Sequence, residues 1–264
     1  MNIDLSGKNA FVFGASKGIG RAIAFSLASL GANVTLAARS ADKLAAISLD
    51  LNKIKISADQ DHDYLVVDGN DAADVKRKLQ VLLDRKTYHI LINNTGGPPA
   101  GPILNADWDA FQQAFQMHLH CSHLAVQLMT EKMKNEGYGR IINIISTSVR
   151  MPIDGLGVSN TTRAAMASWA KTLASELGAY GITVNNILPG FTATERLDTL
   201  MEVWARQNGI SKEEQINQSK ATIPMKRFGS PEEIADVAAF LASPAASYIT
   251  GTSIIVDGGR TKSL

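Results

Sequence analysis

Short apolar runs alternate with longer stretches of helical period along almost the whole chain. The runs are Ala10–Phe13, Val34–Ala37, Tyr64–Val67, Ile90–Ile92, Ile141–Ile145, Thr183–Leu188 and Ser253–Val256. Ile141–Ile145 is apolar at nearly every position, the pattern of a strand covered on both faces. The intervening segments are long enough for right-handed helical crossovers between parallel neighbours. The pattern therefore predicts one α/β domain over residues 1–264, a three-layer, doubly wound parallel sheet of seven strands. Gly and Pro cluster just after the predicted strands, at the carboxyl edge where such sheets bind ligands.

Composition narrows the function without naming it. At 264 residues and 45% hydrophobic content the chain can bury one large core, and a second full domain is not expected. Lys+Arg at 26 against Asp+Glu at 25 leaves a net charge of +1, which gives no field for nucleic acid or an anionic membrane. The first residues lack a cationic, then apolar leader, and no run of about 18 apolar residues occurs, so the expectation is a cytoplasmic protein. Cys121 is the sole cysteine; with no partner for a disulfide or a zinc site, it is expected to be a small buried hydrophobe.

The first run leads into Gly14-Ala15-Ser16-Lys17-Gly18-Ile19-Gly20 and then the helical stretch Arg21–Leu30. Glycines there permit a tight turn and close approach of a pyrophosphate, whose charge suits the free N–H groups of a helix start. After a first strand this reads as the phosphate turn of a Rossmann-type dinucleotide fold. The second run ends Ala37-Ala38-Arg39, where a bare ribose is ordinarily held by an acidic residue. Arg39, with Lys17 in the turn, suits a 2′-phosphate instead, which favours NADP(H) over NAD(H). The plainer reading makes both cations solvated surface charge.

Three further stretches complete a pattern: Asn93-Asn94-Thr95-Gly96, Pro189-Gly190-Phe191-Thr192-Ala193-Thr194 and Asp257-Gly258-Gly259. With the glycine turn they span almost the whole chain, which resembles the short-chain dehydrogenase/reductase family. The segment from Arg227-Phe228-Gly229 to Gly259 is similar to the β-ketoacyl carrier-protein reductases. The resemblance implies a cofactor site formed by Gly14, Ser16, Lys17, Gly18, Ile19 and Gly20 at the pyrophosphate. Asp68 and Gly69 would flank the adenine, Asn94 the adenosine side and Thr192 the nicotinamide amide, with Gly96, Pro189 and Gly190 also at the cofactor. Without that resemblance, Asp68 reads as a solvated strand-end carboxylate and Asn94 as an amide satisfying loop backbone. Phe13 departs from the family, which usually has threonine before the first glycine.

The catalytic end departs further. Ser146 stands where the family carries the serine that hydrogen-bonds the substrate carbonyl. Thirteen residues on, where the family has its tyrosine, is Ser159, and four beyond, in place of lysine, is Arg163. The spacing puts both on one helix face. A tyrosine made acidic by its lysine protonates the alkoxide, whereas a serine hydroxyl is far less acidic. Arg163 can still hold ribose hydroxyls and supply fixed charge, but it stays protonated and relays nothing. The family's asparagine, twenty-four residues beyond Asn94, falls on His118, a candidate substitute acid or, alternatively, a packing histidine. His118, His120 and His123 do not share a helix face, and no metal site is expected. The stretch 191–224, with Leu197, Leu200, Met201, Val203 and Trp204, is expected to close over the substrate as a lid with a Met and Trp face.

The resemblance thus implies an NADP(H)-dependent oxidoreductase interconverting a small-molecule carbonyl and a secondary alcohol, with Ser146, Ser159, Arg163 and His118 as candidate catalytic residues. The missing pair motivates an alternative, a dinucleotide-binding sensor or partner subunit without turnover. Non-redox chemistry is a third reading: halohydrin dehalogenases resemble this chain in carrying arginine for lysine, but they lose the glycine turn. The family's usual association implies a homodimer or homotetramer through helices near Gln112–Lys134 and Gly157–Tyr180 and the strand near Ser253–Val256, with Ala164, Ala165, Ala167, Ser168, Ala170 and Ala174 permitting close helix approach.

Overall fold

The computed structural model describes residues 1–263. Seven parallel strands form one sheet in the order β3-β2-β1-β4-β5-β6-β7. They are β1 Asn9–Phe13, β2 Asn33–Ala38, β3 Asp63–Val66, β4 Ile90–Asn93, β5 Gly139–Ile144, β6 Ile182–Pro189 and β7 Ser253–Val256. Every predicted strand is present, with ends displaced by a residue or two. The order reverses direction between β1 and β4, the crevice where doubly wound sheets take their ligands.

Strand alternation divides one apolar run between two cores. Ala10 and Val12 of β1 pack with α1 (Gly18–Ser29), α2 (Ala41–Lys53) and α9 (Pro231–Ala242). Phe11 and Phe13 turn the other way, toward α3 (Ala72–Leu83), α5 (Cys121–Glu136) and α6 (Gly157–Leu177). Phe13, the departure before the first glycine, stacks edge-on against Phe11 at 4.9 Å and is only 5% exposed, so it fills the core beneath the turn.

Across β4 to β7 the sheet is stitched by polar side chains that no periodicity reveals. Asn93 Nδ2 donates to Asn143 Oδ1 at 2.8 Å, and Asn143 Nδ2 to Asn186 Oδ1 at 2.9 Å. Asn186 Nδ2 in turn donates to Ser253 Oγ at 3.1 Å. Buried amides bonded to one another in this way fix the strand register, since a slip would break the ladder.

One expectation needs correction, and two elements are resolved more finely than the sequence showed. The first helix starts at Gly18 rather than Arg21, because the glycine turn itself opens it. The long helix near Gln112–Lys134 is α4 (Trp108–Phe115), a π-helical turn Gln116–His120, and α5. The lid is two helices, α7 (Glu195–Asn208) and α8 (Lys212–Ala221), each begun by a capping residue, Thr194 and Ser211. Of the small residues on α6, Ala170 and Ala174 pack into their own subunit's core, while Ala164 and Ser168 remain exposed. Among the described residues no helix is long and apolar enough to cross a membrane.

Candidate functional site

The carboxyl edge of the sheet opens into a cleft of about 840 Å³ that joins the glycine turn to the start of α6. Sixteen of the residues singled out from sequence line it: Gly14, Ser16, Lys17, Gly18, Ile19, Arg39, Asp68, Gly69, Asn94, Gly96, Ser146, Ser159, Arg163, Pro189, Gly190 and Thr192. Gly20 and His118 lie behind its walls.

The phosphate end depends on close backbone approach. Gly14 has a φ of +64°, and a Cβ there would lie 2.4 Å from the Asn94 carbonyl oxygen. A Cβ on Gly20 would lie 2.4 Å from the Gly14 carbonyl, so no other residue fits either position without moving the turn. Asn94 Nδ2 reaches the Phe13 and Gly14 carbonyls at 3.4 Å each, which ties β4 to the turn as the plainer reading held. Among the described residues no side chain caps α1, which leaves its first N–H groups available to an anion in the cleft. A dinucleotide pyrophosphate fits this cradle.

Charge is sorted along the cleft. Arg39 is exposed at the end of β2 and forms no ion pair among the described residues. Arg21, Ser40 and Lys43, which sequence reasoning passed over, line the same end. Their signal was available: Arg21 lies in the first turn after the glycines, and Lys43 lies in the first turn of α2, just after Arg39. Lys17 does not stand free beside Arg39, since its ammonium pairs with Glu195 of α7 at 2.5 Å. That contact joins the phosphate turn to the lid and holds the Glu195 carboxyl below its usual range. Asp68 accepts from the Asn70 N–H at 3.0 Å, and the buried Cys121 thiol beside Gly69 is pushed up to about 12 by burial and then by Asp68.

At the other end, Ser146 follows β5 and its Oγ accepts the Ser148 N–H at 3.0 Å. This fixes the oxygen and leaves the hydroxyl proton without an acceptor among the described residues. Arg163 is 8% exposed, and its Nη1 donates to the Ile144 carbonyl at 2.9 Å and its Nη2 to the Thr95 carbonyl at 3.4 Å. It thus spans β5 and the loop after β4, directly between the two halves of the cleft. Burial, with the nearby Arg196 charge adding, lowers its pKa to about 10, so it remains a cation at neutrality. Ser159 lines the cleft one turn earlier on α6.

The structure corrects the reading of His118 as an acid. The ring is 1% exposed, its Nδ1 bonds the Thr95 hydroxyl, and Nε2 has no partner among the described residues. Burial first, and the Arg163 charge second, push its pKa down to about 2. A ring that refuses a proton near neutrality cannot donate the second one an acid requires. His120 instead meets Gln116, and His123 accepts from Trp169, so the three rings diverge. Among the described residues no cluster of potential metal ligands forms.

The lid also differs from expectation. Leu200 and Trp204 face the cleft, with Leu197 at its edge. Met201 is 1% exposed and packs toward α8, where Ser219 Oγ approaches its sulfur at 3.5 Å. Thr194, quoted in the family motif without a role, and Arg196, missed from sequence, line the cleft as well. Thr194 combines two roles, capping α7 and bounding the space beside Gly18, where a Cβ would lie 3.3 Å from its methyl group.

This cleft, at the switch point of a doubly wound sheet, defines a dinucleotide-type site beside a polar reaction pocket. A family model described as enoyl-(acyl carrier protein) reductase matches residues 14–261. The chain belongs to the short-chain dehydrogenase/reductase family. It is 33% identical to the NADPH-dependent reductase BacG of Bacillus subtilis, over 98% of this chain and 100% of that one. It is 34% identical to the 3-oxoacyl-[acyl-carrier-protein] reductase of Aquifex aeolicus, over 98% and 99%. The crystal structure of L-sorbose reductase from Gluconobacter frateurii, complexed with NADPH and L-sorbose, matches with a TM-score of 0.92 at 30% identity, covering 100% of both chains.

Proposed function

We propose that this protein is an NADP(H)-dependent oxidoreductase that interconverts a carbonyl and a secondary alcohol without a tyrosine acid. The observation that carries this reading is the single cleft, in which a glycine cradle and a row of cations at one end meet Ser146, Ser159 and Arg163 at the other. Unpaired Arg39, with Lys43 beside it, favours a cofactor bearing a 2′-phosphate. The names of the similar proteins, an NADPH-dependent reductase and a sorbose reductase complexed with NADPH, support the same choice.

When bound, the nicotinamide supplies the hydride; the protein supplies orientation, charge and a proton route. Ser146 holds the carbonyl oxygen, since its Oγ is fixed by Ser148 and its proton is free to donate. Arg163 offsets the negative charge that grows on that oxygen. Ser159 is too weak an acid to protonate an alkoxide itself, and its small side chain leaves room for solvent to deliver the proton. The reaction is therefore slow and only weakly pH-dependent near neutrality.

The family-like helices also support association. We propose a homodimer or homotetramer through α4–α5, α6 and β7, with exposed Ala164 and Ser168 permitting close approach; sedimentation showing only a 28.3 kDa species would refute it. The substituted tyrosine and lysine positions favour one second reading, a dinucleotide-binding partner or sensor. Titration with NADPH and NADH followed by a carbonyl panel separates them: NADPH binding with turnover supports the reductase, and NADPH binding without turnover the sensor.

A further inference from the structure

The lid brings one cation into the reaction end of the cleft that the proposed chemistry does not use. Arg196 lies in the first turn of α7, immediately after Glu195. Neighbouring helical positions point about 100° apart, and the two side chains part accordingly. Glu195 turns to Lys17 on the phosphate turn. Arg196 turns to the loop after β4, where its Nη2 donates to the Pro98 carbonyl at 2.5 Å and lies 3.3 Å from where a Gly97 Cβ would be.

That single carbonyl leaves most of the five guanidinium donors uncommitted, and Arg196 forms no ion pair among the described residues. The acids lining the cleft are elsewhere engaged or elsewhere placed. Asp68 is held by Asn70, Glu195 by Lys17, and Glu232 sits in the first turn of α9, which packs along α1 at the phosphate end. Arg163 reaches Thr95 in the same loop and feels the Arg196 charge. Two guanidinium groups thus face the same loop, and none of the acidic side chains among the described residues that line the cleft pairs with Arg196; Ile153, Leu156 and Trp204 line the same cleft.

We propose that Arg196 receives a carboxylate on the substrate, so that the enzyme acts on carbonyl acids with an apolar chain and on the matching hydroxy acids. The inference rests on the reductase reading. In the reduction, NADPH delivers a hydride, two electrons and one hydrogen, to the carbonyl carbon. The C–O π pair moves to oxygen, which takes a proton from solvent, and NADP⁺ leaves; the carboxylate is unchanged. A planar fork facing a carboxylate makes two parallel charge-assisted bonds, which a sugar hydroxyl or a neutral ketone cannot match.

The test compares kcat/KM for 2-oxooctanoate and 4-oxooctanoate with that for the methyl ester of each. The wild type should prefer at least one acid over its ester by about 30-fold or more. In Arg196→Gln that ratio should fall by roughly 10- to 100-fold, the cost of losing a charged partner, with Arg196→Lys in between. A wild-type ratio near one, or a ratio unmoved in Arg196→Gln, overturns the proposal. If no carbonyl is turned over, the reductase reading fails, and binding then decides the Arg196 assignment separately. Octanoate should quench the tryptophan fluorescence of the NADP⁺-loaded wild type at lower concentration than 1-octanol, an advantage lost in Arg196→Gln. Equal binding of the two would overturn it.

Discussion

At the scale of single residues, His118 is the clearest case of burial deciding chemistry. Its folded pKa, pushed down to about 2, lies below the 6.5 of an unperturbed ring. The unfolded chain therefore takes up a proton below about pH 6.5 that the fold refuses, so stability is full above that pH and declines as pH falls. His118→Asn should remove this sensitivity, sparing about 2 kcal/mol of the loss between pH 7 and pH 5, as read from urea unfolding at each pH. His62 and His89, also lowered by burial, keep their share in both proteins. For catalysis, Ser146→Ala should lower kcat/KM by about 100-fold or more, while Ser159→Ala should cost less than about tenfold. If Ser159→Ala abolishes turnover with cofactor affinity intact, the serine has a direct chemical role and the solvent route is wrong. Ser146, Ser159 and Arg163 were legible because motif spacing fixes their register. Arg196 was not, because a lone arginine in a polar lid has no periodicity; only the fold shows which wall it faces.

At the scale of elements, the strands were legible because a strand covered on both faces must be apolar throughout. Helix interruptions were not. The π-helical turn Gln116–His120 leaves no mark in the hydrophobic period, and the lid's break at Gly209 separates α7 from α8 inside what reads as one polar stretch. The asparagine ladder was equally hidden, since Asn93, Asn143 and Asn186 look like isolated polar residues until the sheet aligns them. Removing its centre should be costly. Asn143→Leu orphans the Asn93 amide and the Asn186 carbonyl in a fully buried setting, and about 2–4 kcal/mol of stability should be lost. Thermal melts showing an unchanged midpoint would mean the ladder is replaceable by packing.

At the scale of the whole molecule, the cleft sorts its charges into two groups with different tasks. Arg39 and Lys43 stand at the adenosine end, and Arg163 and Arg196 at the reaction end. Arg39→Ala should weaken NADPH binding by roughly 10- to 100-fold, the cost of one charge-assisted phosphate contact, and change NADH binding by less than about threefold. Tighter NADH than NADPH binding by the wild type would contradict the assignment of that end. The sequence alone made Lys17 the companion of Arg39. The fold instead pairs Lys17 with Glu195, joining the lid to the phosphate turn, and the other cations lining the adenosine end are Arg21 and Lys43.

In the proposed function, hydride transfer survives the loss of the tyrosine acid. It is tested most directly by incubating the protein with NADPH deuterated at C4 and a carbonyl panel that includes 2-oxooctanoate, then analysing the product alcohol by mass spectrometry. Deuterium is expected on the carbinol carbon of at least one product, formed slowly and at a rate that changes little between about pH 6 and 8. Tight NADPH binding with no deuterated alcohol from any carbonyl would contradict it.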